Sequence, residues 1–267
     1  MMSAIYRLVS KLVYNRLTIK FYEWYLGRQI ANGPKPLHVG LILDGNRRWA
    51  NQLGLDHAAG HMAGAIKARQ LLEWCRDLGI KTLTIYAFST ENFKRPKEEV
   101  DAITKIFKEN IEEALKKNVI EENQVRVTVM GRMDLLPPDI TQLVRKIEAA
   151  SAKYDKFFLN IAFAYGGRAE IIDAVKKIAT DVQSHKLEIK DIDEKEIEKR
   201  LYTAHLPKSD ADLIIRTSGE ERLSNFLLWQ SAYSELVFTD IFWPDFRKYD
   251  LLRAIRIFQK RERRLGA

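Results

Sequence analysis

His38-Val39-Gly40-Leu41-Ile42-Leu43-Asp44-Gly45-Asn46-Arg47-Arg48-Trp49 is an unbroken apolar run that stops at Asp-Gly and then opens a helical stretch with two arginines. An apolar run with no polar alternation, closed by a turn signal, reads as a strand buried on both faces. Further runs of the same character lie at Thr82–Ala87, Val125–Met130, Phe157–Phe163, Leu213–Ile215 and Leu236–Phe238. Between them the apolar spacing changes to that of helices. Ala65, Ala68, Leu72 and Cys75 form one stripe, Val100, Ile103, Phe107, Ile111 and Ala114 a second, and Ile140, Leu143, Val144 and Ile147 a third. Pro96 and Pro137-Pro138 fall near helix starts, where a missing N–H costs little. Strands separated by helical crossovers predict an α/β fold with a central, mainly parallel six-stranded sheet flanked by helices. Ligands of such sheets bind beyond the carboxyl ends of the strands.

No repeat, low-complexity tract or linker divides the chain, so residues 38–267 are expected to form one catalytic domain, with residues 1–37 as a basic lead segment. In that segment Arg7, Lys11, Arg16, Lys20, Arg28 and Lys35 face Glu23 alone, and Ile5, Leu8, Val9, Leu12 and Val13 share one helical face. The pattern fits a helix lying in an anionic membrane interface, and equally one docked on its own domain or on a dimer partner. The 267 residues carry 44 Lys+Arg against 36 Asp+Glu, a formal charge of +8, which favours anionic partners. Nucleic acid is disfavoured, since no zinc-finger, RNP or KH pattern occurs. Cys75 is the single cysteine, which excludes a disulfide framework and points to a reducing compartment, the cytoplasm. No apolar stretch is long enough to span a bilayer, and charges break up any secretory signal; peripheral contact at the inner membrane face is the membrane role left open.

Three stretches put phosphate-binding chemistry at strand ends. Asp44-Gly45-Asn46-Arg47-Arg48 places a carboxylate, helix N-terminal amides and guanidinium groups around one point, the outline of a diphosphate and Mg²⁺ site, although an Asp-Gly turn followed by solvated arginines has the same spelling. Ser89-Thr90-Glu91-Asn92-Phe93-Lys94-Arg95 follows the second strand with small polar groups, an aromatic and an arginine. Arg216 leaves a short apolar strand, and Arg222-Leu223-Ser224 follows in a polar turn; two arginines and a hydroxyl make a directional diphosphate clamp.

These blocks, with Gly60-His61, Tyr165-Gly166-Gly167-Arg168, the run Asp212 to Trp229 and Pro244-Asp245-Phe246, resemble the cis-prenyltransferases, typified by undecaprenyl diphosphate synthase, in order from about residue 36 to the end. The resemblance implies addition of isopentenyl diphosphate to an allylic diphosphate, with formation of a Z double bond and release of pyrophosphate. The product would be a Z-polyprenyl diphosphate, a lipid-carrier precursor. It implies Mg²⁺ held by Asp44, with Glu235 as a second metal-linked carboxylate. Gly45, Asn46, Arg47, Arg48 and His61 would surround the allylic diphosphate. Arg216, Arg222, Leu223 and Ser224 would hold isopentenyl diphosphate, and Trp49, Phe93 and Arg95 would shape the substrate region. Ser89, Thr90, Glu91 and Asn92 would lie near the reacting carbons. A neutral amide is a poor base near neutral pH, so Asn92 is expected to orient substrate while a diphosphate oxygen takes the proton.

Each of these residues also has a plainer reading: His61 as a polar helix-start residue, Glu235 as a surface charge and Arg168 as part of a tight turn. His57 stands where many bacterial members have an arginine, replacing a permanent fork of donors by a titrating ring. Phe157 and Phe158 are expected at the floor of an apolar tunnel lined by the helix stripes, limiting product length, with Ala87 leaving room beside them. Arg264-Leu265-Gly266 resembles the family's C-terminal motif that reaches a partner subunit, which implies a homodimer with residues 225–245 in the contact. Two competing readings are an accessory subunit without catalysis and prenyl transfer to another phosphate-bearing acceptor. Intact Asp44, Asn92, Arg216 and Ser224 weigh against the first. Nucleotide enzymes and trans-type synthases are disfavoured, since GxxxxGK[ST], GxGxxG and Asp-Asp-x-x-Asp are all missing.

Overall fold

Every apolar run singled out above is a strand in the computed structural model, which describes residues 16–261. The strands β1 (His38–Ile42), β2 (Thr82–Ser89), β3 (Val125–Met130), β4 (Phe157–Tyr165), β5 (Leu213–Arg216) and β6 (Glu235–Phe238) form a single sheet in the order β3-β4-β2-β1-β5-β6. All pairings are parallel, so the sheet is wholly rather than mainly so. The helices are α1 (Arg16–Ile30), α2 (Asn46–Gln52), α3 (His57–Asp77), α4 (Lys97–Lys116), α5 (Val119–Asn123), α6 (Pro138–Ser151), α7 (Gly167–Gln183), α8 (Glu194–Glu198) and α9 (Lys248–Lys260). Pro96 precedes α4 and Pro138 begins α6, as their missing N–H groups predict.

Strand β2 continues past its expected end because the register with β4 shifts between Tyr86 and Phe88, which leaves Ala87 outside the ladder and exposed. From β1 the chain winds to β2, on to the edge strand β3 and back to β4 between them on one side, then crosses to β5 and β6 on the other, so the topology switches beside β1. Asp44 follows β1 and Arg216 ends β5 at this switch point, where open α/β sheets bind their ligands. The β5–β6 crossover has no helix. It is an irregular segment in which Ser218, Ser224, Asn225 and Leu227 all take positive φ, conformations that cost energy and gather at functional sites.

Helix α1 docks on α9 and buries Leu26 and Ile30 in the main core. Its other side leaves Leu17, Phe21, Trp24 and Tyr25 exposed, with the Arg28 guanidinium 4.7 Å above the Trp24 ring. No described helix is long and apolar enough to cross a membrane. The stripe at Ile5–Val13 and the Arg264-Leu265-Gly266 motif lie outside the described residues.

Candidate active site

Two charge clusters stand at the carboxyl end of the sheet. In the first, Arg216 Nη2 donates to Asp44 Oδ2 at 2.8 Å, and Arg216 Nη1 donates to Ser224 Oγ at 2.7 Å and to the Arg222 carbonyl at 2.5 Å. Arg48 lies 3.6 Å from Asp44 Oδ1 and 3.4 Å from Glu220, and donates to Ser218 Oγ. The Asp44 backbone is fixed as well, its carbonyl accepting from Thr217 Oγ1 at 2.6 Å and Trp243 N at 3.0 Å. Gly45 between the clusters has φ +104, and a Cβ there would stand 2.9 Å from Phe242, so both backbone and space require glycine.

The second cluster centres on Glu99, in the first turn of α4, whose carboxylate has four cationic or ionisable neighbours. Arg95 approaches at 2.9 Å, His61 at 3.3 Å, Arg47 at 3.7 Å and His57 at 3.8 Å. Burial alone would raise the Glu99 pKa, but Arg95 and Arg47 outweigh it and hold the carboxyl below its ordinary range. Burial likewise lowers the His61 pKa, against the pull of Glu99, so the ring is neutral near pH 7. His57 Nε2 also pairs with Asn51 Oδ1 at 3.2 Å.

Beside the second cluster, at His61, opens an apolar cavity of about 570 Å³, within the range of small-molecule sites. Asn46, His61 and Trp243 line it together with the α3 stripe (Ala65, Ala68, Leu72), the α4 stripe (Ile103, Phe107, Ile111) and the bulge residue Ala87. Its sheet-side wall carries Phe157, Leu159, Ile161 and Phe163, alternate residues of β4. Phe158 therefore points to the opposite face, which corrects its placement at the tunnel floor; Phe107, stacked on Phe163 at 4.0 Å, supplies the second aromatic instead. Asn46 Oδ1 and Arg216 Nε are buried without a protein partner, an unmet acceptor and an unmet donor beside the cavity and the first cluster.

The loop after β2 is locked by its own residues. Asn92 Oδ1 accepts from Ser89 N at 3.1 Å, which leaves the amide NH₂ as the group it can offer a ligand. Thr90 Oγ1 donates to Glu91 at 3.2 Å, and Glu91 accepts from Asn225 Nδ2 at 3.1 Å, tying this loop to the β5–β6 crossover. Asn225 also accepts from Arg168 N at 2.9 Å, which makes Gly166-Gly167-Arg168 the anchoring turn of the plainer reading. Phe93 packs edge-on against Phe88 at 4.9 Å, and Trp49 is half-buried on α2.

Three expected site residues stand elsewhere in the chain. Glu235 pairs in register with Leu213 at the amino end of the sheet, opposite to Asp44, and its carboxylate lies 2.8 Å from Arg261. Within one chain it cannot share an ion with Asp44. The Arg222 guanidinium turns to Glu220 at 2.5 Å rather than joining Arg216, and only its carbonyl enters the cluster. Leu223 packs on the apolar cluster around Phe226 and Tyr86, where it anchors the loop. Conversely, Glu99, Ser218, Glu220 and Asn225 belong to the site and were not read from the sequence. The i,i+4 spacing of Arg95 and Glu99 was the available signal for Glu99; the others depend on loop folding.

The residues fit Mg²⁺ in one particular way. Among the described residues no group of three or more carboxylate, histidine or cysteine ligands could hold a metal by itself. Asp44 offers a hard oxygen beside two arginines, a donor set that Mg²⁺ uses when substrate phosphates complete its shell.

An apolar cavity that reaches Asn46 and His61, with two cationic clusters at the same carboxyl end of a wholly parallel sheet, defines an enzyme that moves the apolar group of a diphosphate. The family model described as "Putative undecaprenyl diphosphate synthase" matches residues 42–266, and the chain belongs to that family of prenyl transferases. It is 52% identical over 252 residues to a tritrans,polycis-undecaprenyl-diphosphate synthase (geranylgeranyl-diphosphate specific) of Methanocaldococcus jannaschii, covering 94% of this chain and 90% of the relative. An isoprenyl transferase of Thermus thermophilus is 49% identical over 249 residues, with 92% and 94% covered. Among solved structures, lavandulyl diphosphate synthase from Lavandula x intermedia in complex with dimethylallyl diphosphate superposes with TM-score 0.84 at 36% identity, covering 87% of this chain and 99% of that one. The chain is thus a cis-prenyltransferase that condenses isopentenyl diphosphate with an allylic diphosphate.

Proposed function

We propose that this enzyme extends geranylgeranyl diphosphate with successive isopentenyl units to a Z-polyprenyl diphosphate that serves as a lipid-carrier precursor. The observation that carries this reading is the pair of separate cationic clusters at the carboxyl end of the sheet, one for each diphosphate. The relatives at about half identity whose names specify geranylgeranyl diphosphate support the starter. The Glu99 cluster, with Gly45, Asn46 and Arg47, takes the allylic diphosphate, and the Arg216–Ser224 cluster takes isopentenyl diphosphate. Asp44 and Arg48, in the Arg216 cluster, adjoin the turn Gly45-Asn46-Arg47 that leads to the Glu99 cluster.

Breaking the allylic C–O bond leaves pyrophosphate with growing negative charge, and preorganised guanidinium donors stabilise that charge more in the transition state than in the substrate. Asp44, together with substrate oxygens, would hold Mg²⁺, which would supply further neutralisation of the leaving group. The Asn92 NH₂ orients the reacting diphosphate, and a diphosphate oxygen accepts the proton lost as the Z double bond forms. The growing chain enters the cavity between α3 and α4, where burial of each added methylene contributes about 0.8 kcal/mol.

The enzyme works as a homodimer. Glu235 lies in the segment 225–245 assigned to the subunit contact, and being out of reach of its own Asp44 it is offered to the site of the second copy. The exposed aromatic and basic face of α1 rests on anionic lipid, where the product partitions.

Incubating the protein with Mg²⁺, labelled isopentenyl diphosphate and, in turn, dimethylallyl, geranyl, farnesyl and geranylgeranyl diphosphate tests the reading. The expected result is a discrete product ladder that is most efficient from geranylgeranyl diphosphate. Absence of product with every starter would overturn it, and a preference for a shorter starter would overturn the starter assignment alone.

A further inference from the structure

We infer that Glu99 is a positioning residue: a buried anion that gathers the Arg47 and Arg95 guanidinium groups and the His57 and His61 rings into one wall and holds them in the arrangement that receives the allylic diphosphate. The inference rests on the reading of this cluster as the allylic subsite. The layering supports it directly. The Glu99 side chain is 6% exposed, His61 11%, Arg95 28%, His57 37% and Arg47 47%, so the carboxylate lies underneath and its four partners stand progressively outward.

The five residues come from α2, α3, the loop before α4 and α4 itself, so no single element sets their spacing. Arg47, Arg95 and His61 have no other ionic partner among the described residues. Without a central anion, two guanidinium groups would stand close together with nothing to oppose their repulsion, and a lone buried carboxylate would be equally costly without them. Anion and cations therefore require one another before any ligand arrives. The grip is graded. Arg95 and His61 are within hydrogen-bond reach of Glu99, whereas Arg47, at 3.7 Å, is held only by charge, and His57 stands 3.8 Å away with its Nε2 on Asn51. Arg47 is accordingly free to turn to an incoming diphosphate, while Arg95 and His61 remain as the fixed side of the wall.

Glu99→Gln keeps the shape and removes the charge, placing an NH₂ donor against guanidinium donors. In the full-length enzyme, the dissociation constant for geranylgeranyl diphosphate measured without isopentenyl diphosphate, and the allylic KM, should each rise about ten-fold, as loss of a charge-assisted contact predicts. The KM for isopentenyl diphosphate should stay within about two-fold, because its cluster is separate. Glu99→Asp, which keeps the charge but shortens the reach, should fall between wild type and Gln; if the Gln variant does not fold, a selective allylic loss in the Asp variant decides. Unchanged or tighter allylic binding in Glu99→Gln would make Glu99 a mere counter-charge and overturn the inference. So would equal rises in both KM values. Wild-type protein that binds no allylic diphosphate would overturn the subsite reading itself, an outcome visible before any variant is made.

Discussion

At the residue scale, alternation along one strand decides which aromatic meets the growing chain. Phe157 lines the cavity near its far end, beside Val125 and Ile120, and Phe158 faces away. Phe157→Ala should lengthen the products seen by chromatography of the extracted lipids, whereas Phe158→Ala should leave the ladder unchanged and lower stability by about 3–5 kcal/mol as a core truncation. The sequence had named both residues because two adjacent aromatics at a tunnel floor look alike until the pleat is known. Asp44 and Arg216 were legible for the opposite reason: each sits at or just beyond a strand end, and strand ends were readable from apolar runs; Ser224 was read from the polar turn that follows β5. The direction of the Arg222 side chain was not legible, because a loop with several positive-φ residues carries no periodicity from which it can be read.

Strands were the most legible elements, since burial on both faces leaves an unbroken apolar spelling, and the helix stripes on α3 and α4 both reach the cavity. The polar residues inside the sheet were not legible. His38 on β1 is fully buried; its Nδ1 faces the Ser209 carbonyl at 3.0 Å, which can only accept, so Nε2 accepts from the Thr84 hydroxyl at 2.7 Å. Thr84 in turn accepts from Asn160 Nδ2 at 3.0 Å, linking β1, β2 and β4. Burial drives the His38 pKa down from 6.5 to about 4, so the folded protein binds fewer protons than the unfolded chain between those values. Stability is then fully present above pH 6.5 and is lost as the pH falls toward 4, by roughly 3 kcal/mol at most. Urea midpoints at pH 7 and pH 5 should differ in the wild type and differ less in His38→Gln; equal pH dependence in the two proteins would show that another group titrates.

For the whole molecule, the position of Glu235 converts a metal assignment into a statement about assembly. If Glu235 serves the partner's Asp44, then Asp44→Ala and Glu235→Ala proteins, each inactive alone, should regain about a quarter of wild-type activity when unfolded and refolded together, because half the dimers are mixed and one site in each is intact. No recovery, with mixed dimers shown by mass, would place Glu235 outside the reaction. The family resemblance made the dimer an expectation from the sequence. That Glu235 cannot act within its own chain emerged only from the parallel register of β5 and β6, which puts it at the wrong end of the sheet.

The division of labour between the two cationic clusters is the claim on which the rest depends, and steady-state KM values for both diphosphates in Arg216→Lys and Arg47→Lys test it most directly. Lysine keeps the charge and removes the fork of donors. The account predicts that Arg216→Lys raises chiefly the KM for isopentenyl diphosphate and Arg47→Lys chiefly that for the allylic substrate; equal rises for both substrates in either variant would contradict separate subsites.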